Sequence, residues 1–334
     1  MQSQAQTDWC WSANAVSAAA YYNSNQYQQC TLVNTDLNQT TCCTNGNSQQ
    51  CNVAWYLDRA LTTVGCNYNY SSGQLDRANV LTELQAGYPI EVRIGWNNGA
   101  GDGHFCAIVG YDSAQDQLHI EDPWYGPSHP AFNDFCNNYQ SAQGKWTDTF
   151  VVTSGPGGAA PPPGGAAGGG QPPPGAPQGF ANTYALAMQA EAMPNRTTPV
   201  YTISLKAAAA PSPLQKMTHT GDEQLSDAGV RVVSAGAQTS SLRLGGAGQQ
   251  YARQVLANAQ RLTNERVLKI PSLLITAVVG KSDDGSTVIH PIDRIPPYLV
   301  DRDYTAREFE NVLKEQAQLK QQSLKRLNRK DGVF

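Results

Sequence analysis

An almost unbroken run of glycine, proline and alanine from Gly155 to about Gly179 constrains the fold more than any other feature of this 334-residue chain. Such a stretch has no side chains with which to bury a core, so it reads as a linker between separately folded parts. Length agrees, because a single domain is usually shorter than this. The predicted division is residues 1–154, a Gly/Pro/Ala-rich linker over 155–180, and residues 181–334. A linker of roughly 25 residues spans about 25 Å as coil and about 75 Å as extended polyproline II.

The two parts differ in chemistry. All eight cysteines precede the linker, and residues 1–154 carry 4 Lys+Arg against 13 Asp+Glu, whereas residues 181–334 carry 19 against 14. Opposite signs suit the halves to contact one another, or the basic half to approach an anionic surface. Much of the basic excess lies in Lys320, Lys325, Arg326, Arg329 and Lys330, at the end of a long helix expected to start near Thr305. Cations at a helix C-terminus complement its dipole, so this cluster does not by itself call for a nucleic-acid partner. No apolar stretch approaches the length of a membrane span.

The first part contains the chemistry. In the segment Gln4-Ala5-Gln6-Thr7-Asp8-Trp9-Cys10-Trp11, the thiol of Cys10 precedes an alanine-rich stretch whose Ala13, Val16 and Ala20 recur at helical spacing up to about Tyr22. Cys10 then falls in the first turn of a buried helix, where the positive end of the dipole and unpaired N–H groups favour a thiolate. Attack on a carbonyl creates an oxyanion. The Cys10 N–H and a glutamine amide one loop upstream are candidate donors, with Gln2, Gln4 and Gln6 all in reach.

These residues resemble the papain-like cysteine peptidases, in which a glutamine six positions before a Cys-Trp pair lines the oxyanion hole; that spacing selects Gln4. The resemblance implies a histidine and an orienting residue downstream. Gly103-His104-Phe105-Cys106-Ala107 opens an apolar strand with His104 at its start, and the strand Gln117–Glu121 runs into Asp122-Pro123-Trp124. His104 is thereby implied as the base, Asp122 as its orienting partner and Trp124 as a shield for their hydrogen bond. His104 follows Cys10 by only 94 residues, against roughly 130–150 in the lysosomal and plant enzymes, and the Cys-Gly-Ser-Cys-Trp signature is absent. The resemblance is therefore to the compact bacterial branch, which includes secreted effectors and double-glycine leader peptidases, and it covers about residues 1–154. A Cys-Trp pair, a histidine opening a strand or an Asp-Pro turn is each commonplace alone; their joint occurrence in this order carries the reading.

With Cys10 as nucleophile, seven cysteines remain, so at least one more is unpaired. Cys106 is the nominee, since it lies two residues after His104 on an apolar strand, on the same face. Cys30, Cys42, Cys43, Cys51, Cys66 and Cys136 then permit 15 arrangements of three bridges, with vicinal Cys42 and Cys43 reaching different partners. Zinc ligands usually come as Cys-x2-4-Cys pairs, which are absent; neither a metal nor a cofactor is expected. Disulfides point to a secreted or periplasmic address. The first nine residues are polar without an apolar h-region, which reads as a mature form, a chain whose leader has been removed, or a substrate of another secretion route.

The rest of the first part fits an α+β fold with a helical half and an antiparallel sheet half. Asn52 is expected to cap a helix whose stripe is Val53, Leu57, Ala60, Leu61 and Val64, ended by Gly65, and Ala78, Leu81 and Leu84 mark a further helix. Strands are expected over Ile90–Trp96, from His104, over 117–121 and over Thr149–Thr153. The loop Asn97–Asp102 either borders the cleft or is a plain turn. Past the linker no motif stands out. Val200–Leu205, Val230–Val233, a helix at about 248–262 and a hairpin joining Leu273–Val279 to Thr287–Ile292 predict a small accessory α+β domain with a terminal helix.

The function so implied is a secreted papain-like cysteine endopeptidase acting on a protein or peptide substrate through Cys10, His104, Asp122 and Gln4. The same chemistry serves glutamine deamidases and transglutaminases. A disulfide-rich binding module with Cys10 bridged is the non-enzymatic alternative, in which no thiol is free.

Overall fold

The computed structural model describes residues 1–97, 99, 102–162, 196–226, 229–234 and 240–326. The expected linker begins within these residues at Gly155–Pro162; its remainder, with residues 181–195, lies outside them. Among the described residues there are two sheets, each with helices on both faces.

The first sheet is entirely antiparallel, in the order β1-β5-β2-β3-β4, from β1 (Asn67–Ser72), β2 (Ile90–Gly95), β3 (Gly103–Asp112), β4 (Gln117–Glu121) and β5 (Lys145–Ser154). Strand alternation sorts its side chains into two cores. On one face, Phe105, Phe150 and Val152 pack against α1 (Cys10–Tyr21), α2 (Gln29–Asp36) and α3 (Leu57–Thr63). On the other, Ile90, Val92, Ile94, Cys106 and Ile108 pack against α4 (Arg77–Gln85) and α5 (Phe132–Asn138). The helices are thus not confined to one side of the sheet. Cys106 lies on the face expected for it, buried and unpaired.

Two details correct the sequence reading. The helix assigned to Asn52 starts only at Leu57, with no side-chain cap. Asn52 instead accepts from the Asp8 N–H at 2.9 Å and donates to Thr7 Oγ1 at 2.7 Å, bracing the loop that leads to Cys10. The cysteines form two bridges, Cys30–Cys43 and Cys42–Cys51, not three. Vicinal Cys42 and Cys43 do reach different partners, but Cys66 and Cys136 are free because they are buried in different cores, on opposite faces of the sheet.

The second sheet is larger than the small domain expected. Its eight strands run in the order β13-β12-β11-β10-β6-β7-β8-β9. They are β6 (Arg196–Thr202), β7 (Thr218–Ser226), β8 (Gly229–Ser234), β9 (Ser240–Leu244), β10 (Thr263–Ile270), β11 (Ile275–Lys281), β12 (Thr287–Pro291) and β13 (Tyr304–Thr305). Beyond the short α6 (Leu205–Ala208), α7 (Gly245–Arg261) covers one face through Tyr251, Ala252 and Val255. The terminal helix α8 (Ala306–Arg326) covers the other through Phe309, Leu313 and Ala317. Strands β7, β9 and β10 escaped the sequence reading because polar residues interrupt their alternation. β7, for example, reads Thr-His-Thr-Gly-Asp-Glu-Gln-Leu-Ser.

Candidate active site

Cys10 is the first residue of α1, and the helix behind it is buried almost all round. N–H groups in a first helical turn have no intrahelical acceptor, so they are available beside the sulfur. Asn14, one turn on, sets the position of that turn. Its Nδ2 donates to the Cys10 carbonyl at 2.8 Å and to the Phe105 carbonyl at 2.9 Å, tying the helix start to the strand that carries His104.

His104 is the second residue of β3 and pairs with Ile94 of β2. The glycine before it is required by its surroundings: a Cβ at Gly103 would lie 2.5 Å from Arg93 Nε. That guanidinium is held on Thr147 Oγ1 at 2.9 Å and near Asp148 at 3.8 Å, so it has little freedom to give way. The Gly-His pair seen in the sequence thus has a packing cause.

The imidazole lies between Cys10 and Asp122. His104 Nε2 meets Asp122 Oδ2 at 2.9 Å, and Cys10 lies near enough to the ring to favour its charged form. Asp122 is fully satisfied. Its Oδ1 accepts from the Trp124 and Tyr125 N–H groups at 2.7 and 2.8 Å, and its Oδ2 also accepts from Tyr139 Oη at 2.9 Å. Burial works against charge on both groups, but each offsets it for the other. His104 is pushed up to about 10 by Asp122 and Cys10, and Asp122 is held below the ordinary carboxylate range by His104 and the two backbone N–H groups. Each group thus favours the charged form of the other.

The rings against His104 are Trp96, stacked at 6.2 Å, and Tyr125, edge-on at 5.8 Å. Trp124, expected as the shield, instead carries the Arg294 guanidinium 4.1 Å above its ring. Gln4 is buried, pinned by its N–H on the Pro123 carbonyl at 2.9 Å. Both protons of its Nε2 are donated, to the Gln6 and Thr7 carbonyls at 2.8 Å, while its Oε1 is buried without a partner. His104 thus has Asp122 on one side and Cys10 nearby, and the Gln4 amide is engaged with the loop between itself and Cys10. Cys106 is no rival nucleophile, since burial pushes its thiol well above the ordinary range.

Sequence reasoning missed Tyr139 and Asn14. Asn14 had a signal, standing at i+4 from Cys10 on the same helix face. Tyr139 had none, because it reaches Asp122 only through the turn after α5. Also unforeseen was the second sheet's share in this region. Ser272 Oγ donates to Asp102 Oδ1 at 2.6 Å, and Lys320 pairs with Asp8 and lies 3.9 Å from Asp102. Lys320 thus faces the first sheet domain, although a helix-dipole role accounted for it in the sequence. Asp102, within the Asn97–Asp102 loop, borders the site; Asn98, Ala100 and Gly101 lie outside the described residues.

Residues 1–146 match the model of the Peptidase_C39 like family. This part of the chain is accordingly a segment related to the papain-like cysteine peptidases, in agreement with the resemblance. Comparison with curated proteins gives no match for the chain.

Proposed function

We propose that residues 1–154 are a cysteine endopeptidase domain that acts outside the cytoplasm, with Cys10 as nucleophile, His104 as acid–base and Asp122 as the group that orients it. The observation that supports this most is the buried His104, held between a sulfur at a helix N-terminus and a carboxylate with four hydrogen bonds. In this mechanism the Cys10 sulfur, its proton passed to His104, attacks the scissile carbonyl carbon and a C–S bond forms. Negative charge collects on the carbonyl oxygen, which the Cys10 N–H and a second donor stabilise. Gln4 is the second donor, after one of its two bonds to the loop carbonyls is exchanged for the oxyanion. His104 then protonates the departing amine, and water activated by the same imidazole hydrolyses the thioester.

An extracellular or periplasmic address draws support from the two disulfides, and no helix among the described residues is long and apolar enough to cross a membrane. Prolonged incubation of the full chain with unfolded protein substrates, read by mass spectrometry, tests the reaction. New peptide termini that vanish in both Cys10→Ala and His104→Ala are expected. A gain of about 1 Da on an intact substrate, or cross-linked products, would instead assign amide chemistry on glutamine side chains.

A further inference from the structure

Above Cys10 and His104 there is almost no room. The space bounded by Cys10, Trp96 and His104 on one side and Pro271, Ser272 and Leu274 on the other is about 20 Å³. That is close to the space for a single water, whereas ligand sites usually run to about 300–1,000 Å³. A larger cavity, about 290 Å³, runs from Asp8 and Asn52 to Leu273 and Tyr298, and Cys10 does not line it. What fills the position over the sulfur is the connection between β10 and β11, which belongs to the second sheet.

Several independent contacts hold that connection in place. Leu274 is buried in the core of the first sheet, alongside Trp96 and Tyr125, and not in that of its own sheet. Its backbone is left-handed, at φ 54° and ψ 32°, a conformation rare for a bulky side chain that persists only where the surroundings impose it. Ser272 and Lys320 meet the buried Asp102, and Lys320 also pairs with Asp8. Arg294 donates to the Pro123 carbonyl at 2.9 Å and to the Gln4 carbonyl, while its guanidinium stacks on Trp124. Lys269 donates to the Gln140 carbonyl at 3.1 Å. These acceptors surround the site: Gln4 and Asp8 precede Cys10, Asp102 precedes His104, and Pro123 follows Asp122.

We propose that the second sheet with its helices is a tethered cover of the Cys10 site, excluding substrate by seating Pro271–Leu274 in the cleft and anchoring this plug through Arg294 and Lys320. The inference rests on Cys10 being the nucleophile of a peptidase. It gives the charge difference between the halves of the chain a physical meaning, since the cations of the second part sit on carboxylates and carbonyls that frame the site of the first. A peptide substrate and the plug cannot occupy the cleft together, so activity requires this contact to open.

The rate of Cys10 alkylation by iodoacetamide tests the cover directly. The full chain, Lys320→Glu and Arg294→Ala are compared by peptide mapping. Glutamate at 320 sets a carboxylate against Asp8 and Asp102, and alanine at 294 removes the carbonyl and Trp124 contacts. Cys10 is expected to react at least about tenfold faster in both variants, while buried Cys66, Cys106 and Cys136 stay protected and so report that the first sheet domain remains folded. Equal Cys10 rates in all three proteins would overturn the cover. The same samples separate this from the peptidase reading. If Cys10 becomes exposed in Lys320→Glu, yet its rate is unchanged by adding His104→Ala and no substrate is cut, the cover stands and the peptidase does not. If substrate is cut equally fast by wild type and variants, the peptidase stands and the cover does not.

Discussion

Each sheet buries an ion pair completed by a tyrosine, yet only one of the pairs has a reactive neighbour. In the first sheet it is His104 with Asp122, backed by Tyr139. In the second it is Lys269 with Glu223 at 2.6 Å, backed by Tyr251. Burying two charges is costly unless their geometry is good and their remaining hydrogen bonds are made, and both sites meet that condition. The difference is what else is present. His104 has a thiol beside it and a small space above it, while Lys269 also donates to the Gln140 carbonyl, where the two parts of the chain meet. A buried pair is therefore not in itself a sign of chemistry; a nucleophile within its reach is.

Removing the carboxylate from each pair sharpens this contrast most. Asp122→Ala and Glu223→Ala are both expected to cost about 3–5 kcal/mol, since each strands a buried cation. Chemical denaturation would measure that. Their chemistry should diverge: activity per folded molecule falls by roughly 10²–10⁴-fold in Asp122→Ala, where the imidazole loses its orientation, and is retained in Glu223→Ala. Equal loss of activity in both would break the comparison.

Titration is the next test. The folded-state value of His104 is raised to about 10, so its contribution is complete below the unfolded value of about 6.5 and is lost as pH rises towards 10. Asp122 is depressed, so its contribution holds above the ordinary carboxylate value and is lost only as pH falls through its lower folded value. Melting temperature should therefore decline between pH 6.5 and 10 more steeply in the wild type than in His104→Ala. Parallel curves would show that the pair does not form. The smallest effect is expected from Asn14→Ala, which removes two hydrogen bonds. A loss of about 1–3 kcal/mol, with Cys10 alkylated more slowly than in the parent when both carry Lys320→Glu, would show that Asn14 positions the sulfur.

Far more of the first part than of the second was legible in the sequence. Cys10 at a helix start and His104 at a strand start stand where expected because the apolar residues that follow each fix the local structure. The strands from Ile90 and from Gln117 follow from apolar alternation, and the one from His104 from a nearly continuous apolar run. Asn52 misled because a capping residue and a loop brace use the same side-chain amide, and only the chain's path decides between them. Cys66 and Cys136 misled because cysteine counting ignores which face of a sheet each residue occupies.

By itself the sequence determined the α+β class and the residue types able to carry thiol chemistry, since these depend on composition, period and short-range spacing. Tertiary structure alone decided which cysteines pair, which rings flank His104, that Tyr139 completes the shell of Asp122, and that Leu274, Arg294 and Lys320 come to lie around Cys10. The contacts of Arg294 and Lys320 join residues more than a hundred positions apart in a chain whose local patterns give no sign of them. Long-range packing selects such partners by the shape and charge left exposed once each sheet has formed.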